Sequence, residues 1–456
     1  MGLFFAAIYL AALLIRPQDL FWVLAPYHVM DVLAALALGA ALLDVLAVGS
    51  KPRLQQPQVF LVVGFLFWAA FSVVAALQWF GGAWLAFEKL GIATFVFLIL
   101  VLAATSLRRL AWLRRAMLLS MSVVLLLGIY SFFIGGRWAR DFVWVQRGFT
   151  IDGQSVGGQV AYEPSADDEE SGSALDWLGG KGRPTRLRAL GFLHDPNDLA
   201  QMLIALIPLA ALSWRRRRPV QNAVLVAAPI AFFLFGIWLT RSRGGLVALA
   251  AMASFAVAQR FGERARRVLD IAIWTGLLLF VLVFFRMGMA DGSALGRREA
   301  WSVGLAMLKG SPLWGAGFGA FVDADRVAHN SFVHCFGELG FVGYWLWLAA
   351  LFVTLSQLSD LAKLDPDAGR DEETLARWAT ALRLSLLSFI VSALFLSRTY
   401  SPTLFLLLGL PTALAGIARQ MGFRSGPRHF VTFAFQASVF AVGTIVLTYV
   451  VVRAIW

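Results

Sequence analysis

Apolar residues along this chain gather in long runs, at roughly 3–15, 29–48, 58–79, 90–105, 116–134, 198–213, 220–239, 244–258, 268–285, 331–358, 380–397, 402–418 and 430–452. A helix crossing the hydrocarbon core takes about 17 to 25 residues, so the runs predict about 12 or 13 spans, the first of them short. Backbone exposed to lipid must satisfy its own hydrogen bonds, which makes an all-α polytopic transmembrane bundle the economical fold. Met1 and Gly2 supply no basic leader, so the first run reads as a retained span.

The polar connections fall into two sets. Lys51 and Arg53, then Arg108, Arg109, Arg114 and Arg115, then Arg215 to Arg218 occupy alternate loops. The series continues with Arg260, Arg264, Arg266 and Arg267, then Lys363, Arg370 and Arg377, then Arg419, Arg424 and Arg428. Positive-inside bias assigns this series to the cytoplasm and the other loops to the outside. The predicted organisation is N-terminal helices over 1–134, an extracytoplasmic loop over 135–197 and central helices over 198–285, followed by an extracytoplasmic catalytic loop over 286–330 and C-terminal helices over 331–456. The first loop carries the acidic run Asp167-Asp168-Glu169-Glu170 amid Gly and Ser, and its middle reads as a mobile excursion. The second contains an amphipathic helix from Arg297 to Leu308 and then the breaker-rich stretch Gly310 to Gly319.

At 59% hydrophobic and 14% charged, the 456 residues are too apolar for a soluble protein. Trp22, Trp79, Trp84, Trp112, Trp138, Trp214 and Trp238 lie near run ends, where interfacial belts form. The net charge of +12 sits in short clusters between runs and not along one groove-sized surface, so topology accounts for it and nucleic acid is not an expected partner. The basic runs meet anionic lipid headgroups. Cys335 is the single cysteine, which excludes an internal disulfide and a thiolate metal site.

Candidate chemistry concentrates in three places. From His329 to Gly340 the sequence sets two imidazoles and a carboxylate at the mouth of an apolar run. In a helix, Asn330, His334 and Glu338 fall at i, i+4 and i+8 as one polar stripe with His329 at its outer end. Ionisable groups in hydrocarbon are costly, so the stripe should face the protein interior or a wet cavity. Imidazole titrates near neutrality, which makes His329 the candidate base; the bland alternative is a helix cap or a cross-bundle hydrogen bond. Glu338 would orient His334.

Thr240-Arg241-Ser242-Arg243-Gly244-Gly245 joins two runs so closely spaced that Arg241 and Arg243 must sit at the membrane surface, the outer one by the alternation above. Arginine there opposes the positive-inside trend, and guanidinium forks suit a pyrophosphate; pairing with acidic loop residues or lipid phosphate is the alternative. Arg297, Arg298 and Arg326 in the second loop are further candidates for anion contact. The set His194, Asp195, Asn197 and Asp198 ends the first loop. Asp195 or Asn197 would cap the next helix with Pro196 in its first turn, and the set would equally line an outer cavity.

Three of these segments resemble the O-antigen ligase and polymerase family of bacterial envelope glycosyltransferases. They are Gly191 to Ala200, with Asp-Pro-Asn-Asp-Leu-Ala, then Leu239 to Gly245, with Thr-Arg-Ser-Arg-Gly-Gly, then Gly296 to Gly340. The last has Gly-Arg-x-x-x-Trp at Gly296 to Trp301, Pro-Leu-x-Gly-x-Gly-x-Gly at Pro312 to Gly319, and His-Asn-Ser-Phe through Glu-x-Gly at His329 to Gly340. The resemblance implies transfer of a glycan from a polyprenyl-pyrophosphate carrier to a glycan or lipid-linked acceptor, at the outer face of the bacterial inner membrane, without cofactor or metal. It implies that Arg241 or Arg243, together with Arg297, binds the pyrophosphate, and that His329 is the essential histidine. Membrane lipids and other polysaccharide assembly proteins complete the expected partners. Polymerases and ligases share these motifs, so the acceptor stays open.

Two rival classes make different demands. A transporter or flippase of lipid-linked glycans would want midplane carboxylates and pseudo-symmetric halves, whereas Asp31, Asp44 and Glu88 lie closer to run ends and no internal repeat is present. A non-catalytic assembly scaffold would tolerate loss of every outer arginine.

Overall fold

The computed structural model describes residues 1–48, 54–135, 142–145, 148–151, 154–157, 185–259, 261–262, 264–265, 267–269, 271–276, 292–323, 327–365, 367–427 and 429–454. Several predicted features lie outside the described residues: Lys51, Arg53, Trp138, the acidic run Asp167 to Glu170, Arg260, Arg266, most of the run at 268–285, Arg326 and Arg428.

The remaining apolar runs are helices: α1 (Gly2–Ile15), α2 (Val29–Val48), α3 (Pro57–Leu77), α4 (Phe80–Ala103), α5 (Leu107–Ile134), α6 (Pro196–Ala211), α7 (Pro219–Thr240) and α8 (Arg243–Ala258). The amphipathic stretch of the second loop forms α9 (Gly292–Gly310), followed by α10 (Ser331–Leu361), α11 (Arg370–Ala393), α12 (Pro402–Gln420) and α13 (Phe430–Ala454). Among the described residues nine helices are long and apolar enough to cross a membrane, while α1, α6 and α8 are shorter apolar helices. The chain is therefore an all-α polytopic membrane protein.

Helix boundaries differ from the runs where polar residues begin a helix. α11 starts ten residues ahead of its apolar run because Asp371, Glu372 and Glu373 favour the positive end of its dipole. α5 starts nine residues early, and its arginines find partners: Arg109 donates to Asp44 at 2.8 Å, and Arg114 to the Leu209 carbonyl at 2.6 Å. Such pairing satisfies guanidinium groups that would otherwise oppose burial.

The chain divides into two compact units. The first comprises Met1–Gly2, Leu38–Leu110 and Ala250–Trp456. Within it α10 packs against α3, α11 and α13, and α4 against α12. A buried amide chain, Gln58 Nε2 to Gln357 Oε1 at 2.6 Å and Gln357 Nε2 to Gln56 Oε1 at 3.2 Å, closes the end predicted to be cytoplasmic. The second unit comprises Leu3–Ala37 and Ala111–Leu249, with α6 almost wholly buried and packed on α7. In this unit two antiparallel ribbons form within the first long loop. Strand β1 (Val143–Val145) pairs with β4 (Thr185–Leu187), and β2 (Gly148–Ile151) pairs with β3 (Gln154–Gly157). The β1–β4 pair ties the two ends of the loop together and, through the buried Leu187, fixes Arg186 beside the end of α7.

Candidate active site

In the second unit, two of the sequence motifs form one hydrogen-bonded frame. Asp195 caps α6 by accepting from the Asn197 amide at 2.7 Å, with Pro196 at the first helical position. The Asn197 side-chain oxygen then accepts from Ser242 Oγ at 2.7 Å and from Arg186 Nη2 at 3.0 Å. Arg186 Nε donates to the Thr240 carbonyl at 2.8 Å. Ser242 also accepts from the Gly245 amide at 3.0 Å, which stops an orphan donor at the start of α8. Gly245 is required by close approach: a Cβ there would stand 3.0 Å from the Ala200 Cβ and 3.1 Å from Ser242 Cβ.

This frame holds the arginines up. Arg241 is exposed in the left-handed region at φ 51°, where it ends α7, and Arg243 is the exposed first residue of α8. Arg186 beneath them is half-buried; burial first, and then the neighbouring Arg243 charge, pull its guanidinium below the ordinary arginine range, while Asp195 partly restores it. Asp198 is buried in α6. His194 is exposed and turns its Nδ1 to the Gly191 carbonyl at 2.9 Å.

In the first unit the stripe from Asn330 to Glu338 is built differently from a straight span. Gly340 breaks α10 at φ 63°, ψ −167°. Eight helical residues rise about 12 Å and fifteen about 22 Å. Yet the rings of Phe336 and Tyr344 are 5.7 Å apart and those of Phe332 and Trp347 only 5.2 Å. The chain turns a sharp elbow, with a short arm from Ser331 to Leu339 leaning back on a long arm from Phe341 to Leu361.

An elbow frees backbone groups that cannot stay unpaired in an apolar interior. The stretch Pro312 to Gly319 takes them up: Ala316 N donates to the Gly337 carbonyl at 3.0 Å, Gly317 N to the Glu338 carbonyl at 2.9 Å, and Phe341 N to the Pro312 carbonyl at 2.8 Å. Trp68 Nε1 takes the Leu339 carbonyl at 2.9 Å. A Cβ on Gly315 would come within 2.5 Å of the Glu338 carbonyl and the Gly340 nitrogen, and one on Gly340 would strike the Leu313 backbone. Gly315 and Gly340 are thus explained by backbone meeting backbone, and Gly317 and Gly319 by φ values of 100° and 93°.

Inside the elbow Glu338 is fully buried and collects donors from three elements. Phe321 N and His334 Nε2 reach its Oε1 at 3.1 Å and 3.3 Å, and the Tyr400 hydroxyl donates to Oε2 at 2.7 Å. Burial first, then the Glu338 charge, raises the Tyr400 phenol well above its ordinary value. His334 is largely buried between Phe321 and Tyr400, and its Nδ1 is buried without a hydrogen-bond partner. Asn330 is the N-cap of the short arm, accepting from Phe332 N at 2.9 Å and Val333 N at 3.2 Å. The predicted stripe is therefore His334 and Glu338 in the helix, with Asn330 spent on its start, as a cap preference for Asn favours.

His329 is half-buried in the left-handed region at φ 48°, held from both sides. Before it, Trp301 Nε1 donates to the Ala328 carbonyl at 3.0 Å. After it, Ser331 Oγ donates to the Leu396 carbonyl at 2.6 Å and accepts from Arg398 N at 2.8 Å. Arg297 and Arg298, half-buried on α9, stand four and three residues before Trp301, one helical turn from that anchor. Burial pulls Arg297 below the ordinary arginine value.

The structure joins Asn197 to Thr240 and Ser242 in one unit, and His334 to Glu338 in the other. Arg326 lies outside the described residues. Sequence reasoning missed Arg186, Arg398 and Tyr400. The signal was present for each: Arg183, Arg186 and Arg188 crowd the end of a loop predicted to be outside, and Leu396 to Ser401 lies on that same side by charge alternation.

The chain is a polytopic membrane protein with a buried imidazole–carboxylate–phenol network in one unit and a framed arginine turn in the other. The family model described as O-Antigen ligase matches residues 228–348, a stretch that contains both the Thr240 to Gly245 turn and the His329 to Glu338 segment. Over that stretch the chain is similar to the O-antigen ligase family. No curated protein matches it significantly.

Proposed function

We propose that the protein transfers a glycan from a polyprenyl-pyrophosphate carrier to an acceptor sugar hydroxyl at the outer face of the inner membrane, polymerising surface polysaccharide repeats or ligating them to a lipid. The observation that carries this reading is the family match over residues 228–348, which takes in the exposed Arg241 and Arg243 and the His329 segment together.

In this reading the acceptor oxygen attacks the anomeric carbon, the bond from that carbon to phosphate oxygen breaks, and polyprenyl pyrophosphate departs. His329 takes the hydroxyl proton as the bond forms. Arg241, Arg243 and Arg297 meet the growing charge on the leaving pyrophosphate, with Arg298 and Arg326 in support. A single displacement inverts the anomeric centre. The donor is already activated, so catalysis rests on positioning and charge neutralisation and requires no metal. His334 and Glu338 hold the elbow beside His329, Asn330 starts its helix, and His194, Asp195 and Asn197 line the arginine frame.

His329→Ala tests the reading with purified protein, a lipid-linked glycan donor and an acceptor. Transfer should fall by about 100-fold or more, the usual range for losing a general base, with the folded yield retained. Near-normal transfer in that variant would remove His329 from the mechanism.

A further inference from the structure

At the end of the first unit predicted to be cytoplasmic, a pocket of about 260 Å³ opens between the long arm of α10 and the start of α13. Its floor is apolar: Phe433 and Ala437 are buried, and Phe433 packs with Ala349 and Val353 beside Phe352. Its rim is polar, made by Ser356 of α10 and by His429, Thr432 and Gln436. The last three fall at i, i+3 and i+7, on one face of α13 and its lead-in. The loop before α13 is fastened in place. Gly426 N donates to Asp360 Oδ2 at 2.9 Å, and a Cβ on Gly426, at φ 100°, would stand 2.9 Å from Gln357 Cγ.

Among the described residues none of the four rim side chains has a hydrogen-bond partner. Neighbours on the same helices spend their hydroxyls on the backbone: Ser438 Oγ donates to the Ala434 carbonyl at 2.9 Å, and Thr354 Oγ1 to the Ala350 carbonyl at 2.7 Å. Thr432 and Gln436 are exposed on a helix long and apolar enough to cross a membrane. An unpaired amide facing hydrocarbon is costly, so its depth matters. Gln436 lies six residues beyond Phe430, a rise of about 9 Å. The polar layer on each side of the hydrocarbon core is about 5 to 8 Å thick, so the rim meets headgroups and the floor meets the first methylenes. No carboxylate lines the pocket, and Arg424 is exposed in the loop that leads to His429. Hydroxyl, amide and imidazole groups above an apolar floor complement a phosphodiester with an acyl chain below it.

We propose that this pocket binds an anionic phospholipid of the cytoplasmic leaflet, its phosphate among Ser356, His429, Thr432 and Gln436 and an acyl chain on Phe352 and Phe433. The site stands apart from the glycan transfer proposed above and does not depend on it.

The test uses the full-length protein with phosphatidylglycerol, phosphatidylcholine and inorganic phosphate as probes. Native mass spectrometry after delipidation should show phosphatidylglycerol held about tenfold or more tightly than phosphatidylcholine, with excess inorganic phosphate failing to displace it. Phosphatidylglycerol carrying a diazirine on its headgroup should crosslink to residues 352–356 or 429–437. Gln436→Glu keeps the side-chain size at an exposed position and sets a negative charge against the phosphate, so it should abolish the preference without harming the fold. Thr432→Val combined with Ser356→Ala should weaken the preference in the same direction, while Ser254→Ala, exposed on α8, should leave it intact. Equal retention of the two lipids, displacement by inorganic phosphate, crosslinks elsewhere, or a preference that survives in Gln436→Glu overturns the site.

Discussion

The arginine turn of the second unit and the elbow of the first handle charge in opposite ways. At the turn the charges are exposed, on Arg241 and Arg243, and what is buried beneath is a frame of Asn197, Ser242 and the half-buried Arg186. At the elbow the charge itself is buried: Glu338 is fully enclosed and each of its oxygens is occupied from within the protein. A cation at the surface stays solvated at little cost, whereas an anion sealed inside is committed to holding structure. The first region leaves its charge at the surface and the second uses its charge to keep a backbone shape.

That contrast breaks most readily at the elbow. Gly340→Val adds a side chain where φ is positive and where the Leu313 backbone already fills the space; strain and overpacking together should cost about 4 to 6 kcal/mol, read as loss of folded protein in detergent. A Gly340→Val protein with an unshifted melting point would show that the elbow is incidental. Glu338→Ala strands the Phe321 amide, the Tyr400 hydroxyl and His334, and should cost about 3 to 5 kcal/mol by thermal unfolding. A small shift there would mean that water takes over the carboxylate's role.

The frame should respond less. Asn197→Ala leaves Arg186 and Ser242 short of an acceptor, a loss of about 1 to 3 kcal/mol, and chemical denaturation of the purified protein measures it. The smallest stability change belongs to Arg243→Ala: an exposed side chain should move stability by no more than about 0.5 kcal/mol. Its transfer rate should nevertheless drop at least tenfold. Parallel loss of stability and rate in Arg243→Ala would erase the distinction between the two regions.

Much of this was legible in the sequence, and the failures have physical causes. The run predicted at 402–418 is the helix Pro402–Gln420, because proline in the first turn and a continuous apolar stretch mark both ends. The run predicted from residue 90 begins at Phe80, since Gly81, Gly82, Glu88 and Lys89 dilute its hydropathy without preventing helix. A cap at Asp195 or Asn197 was expected from the place of Pro196, and the structure gives it to Asp195. The elbow was not legible, because hydropathy records composition, and Leu339-Gly340-Phe341 is as apolar when bent as when straight. Tyr400 escaped for a related reason: its partner Glu338 is 62 residues away, and no local period links them.

The strap from Pro312 to Gly319 is held to α10 through main-chain amides and carbonyls. Apart from its glycines, those bonds would survive a change in side-chain identity. The side chains of Trp314 and Ala316 can thus be exchanged while the bend persists, so the shape is inherited through the backbone and not through their chemistry.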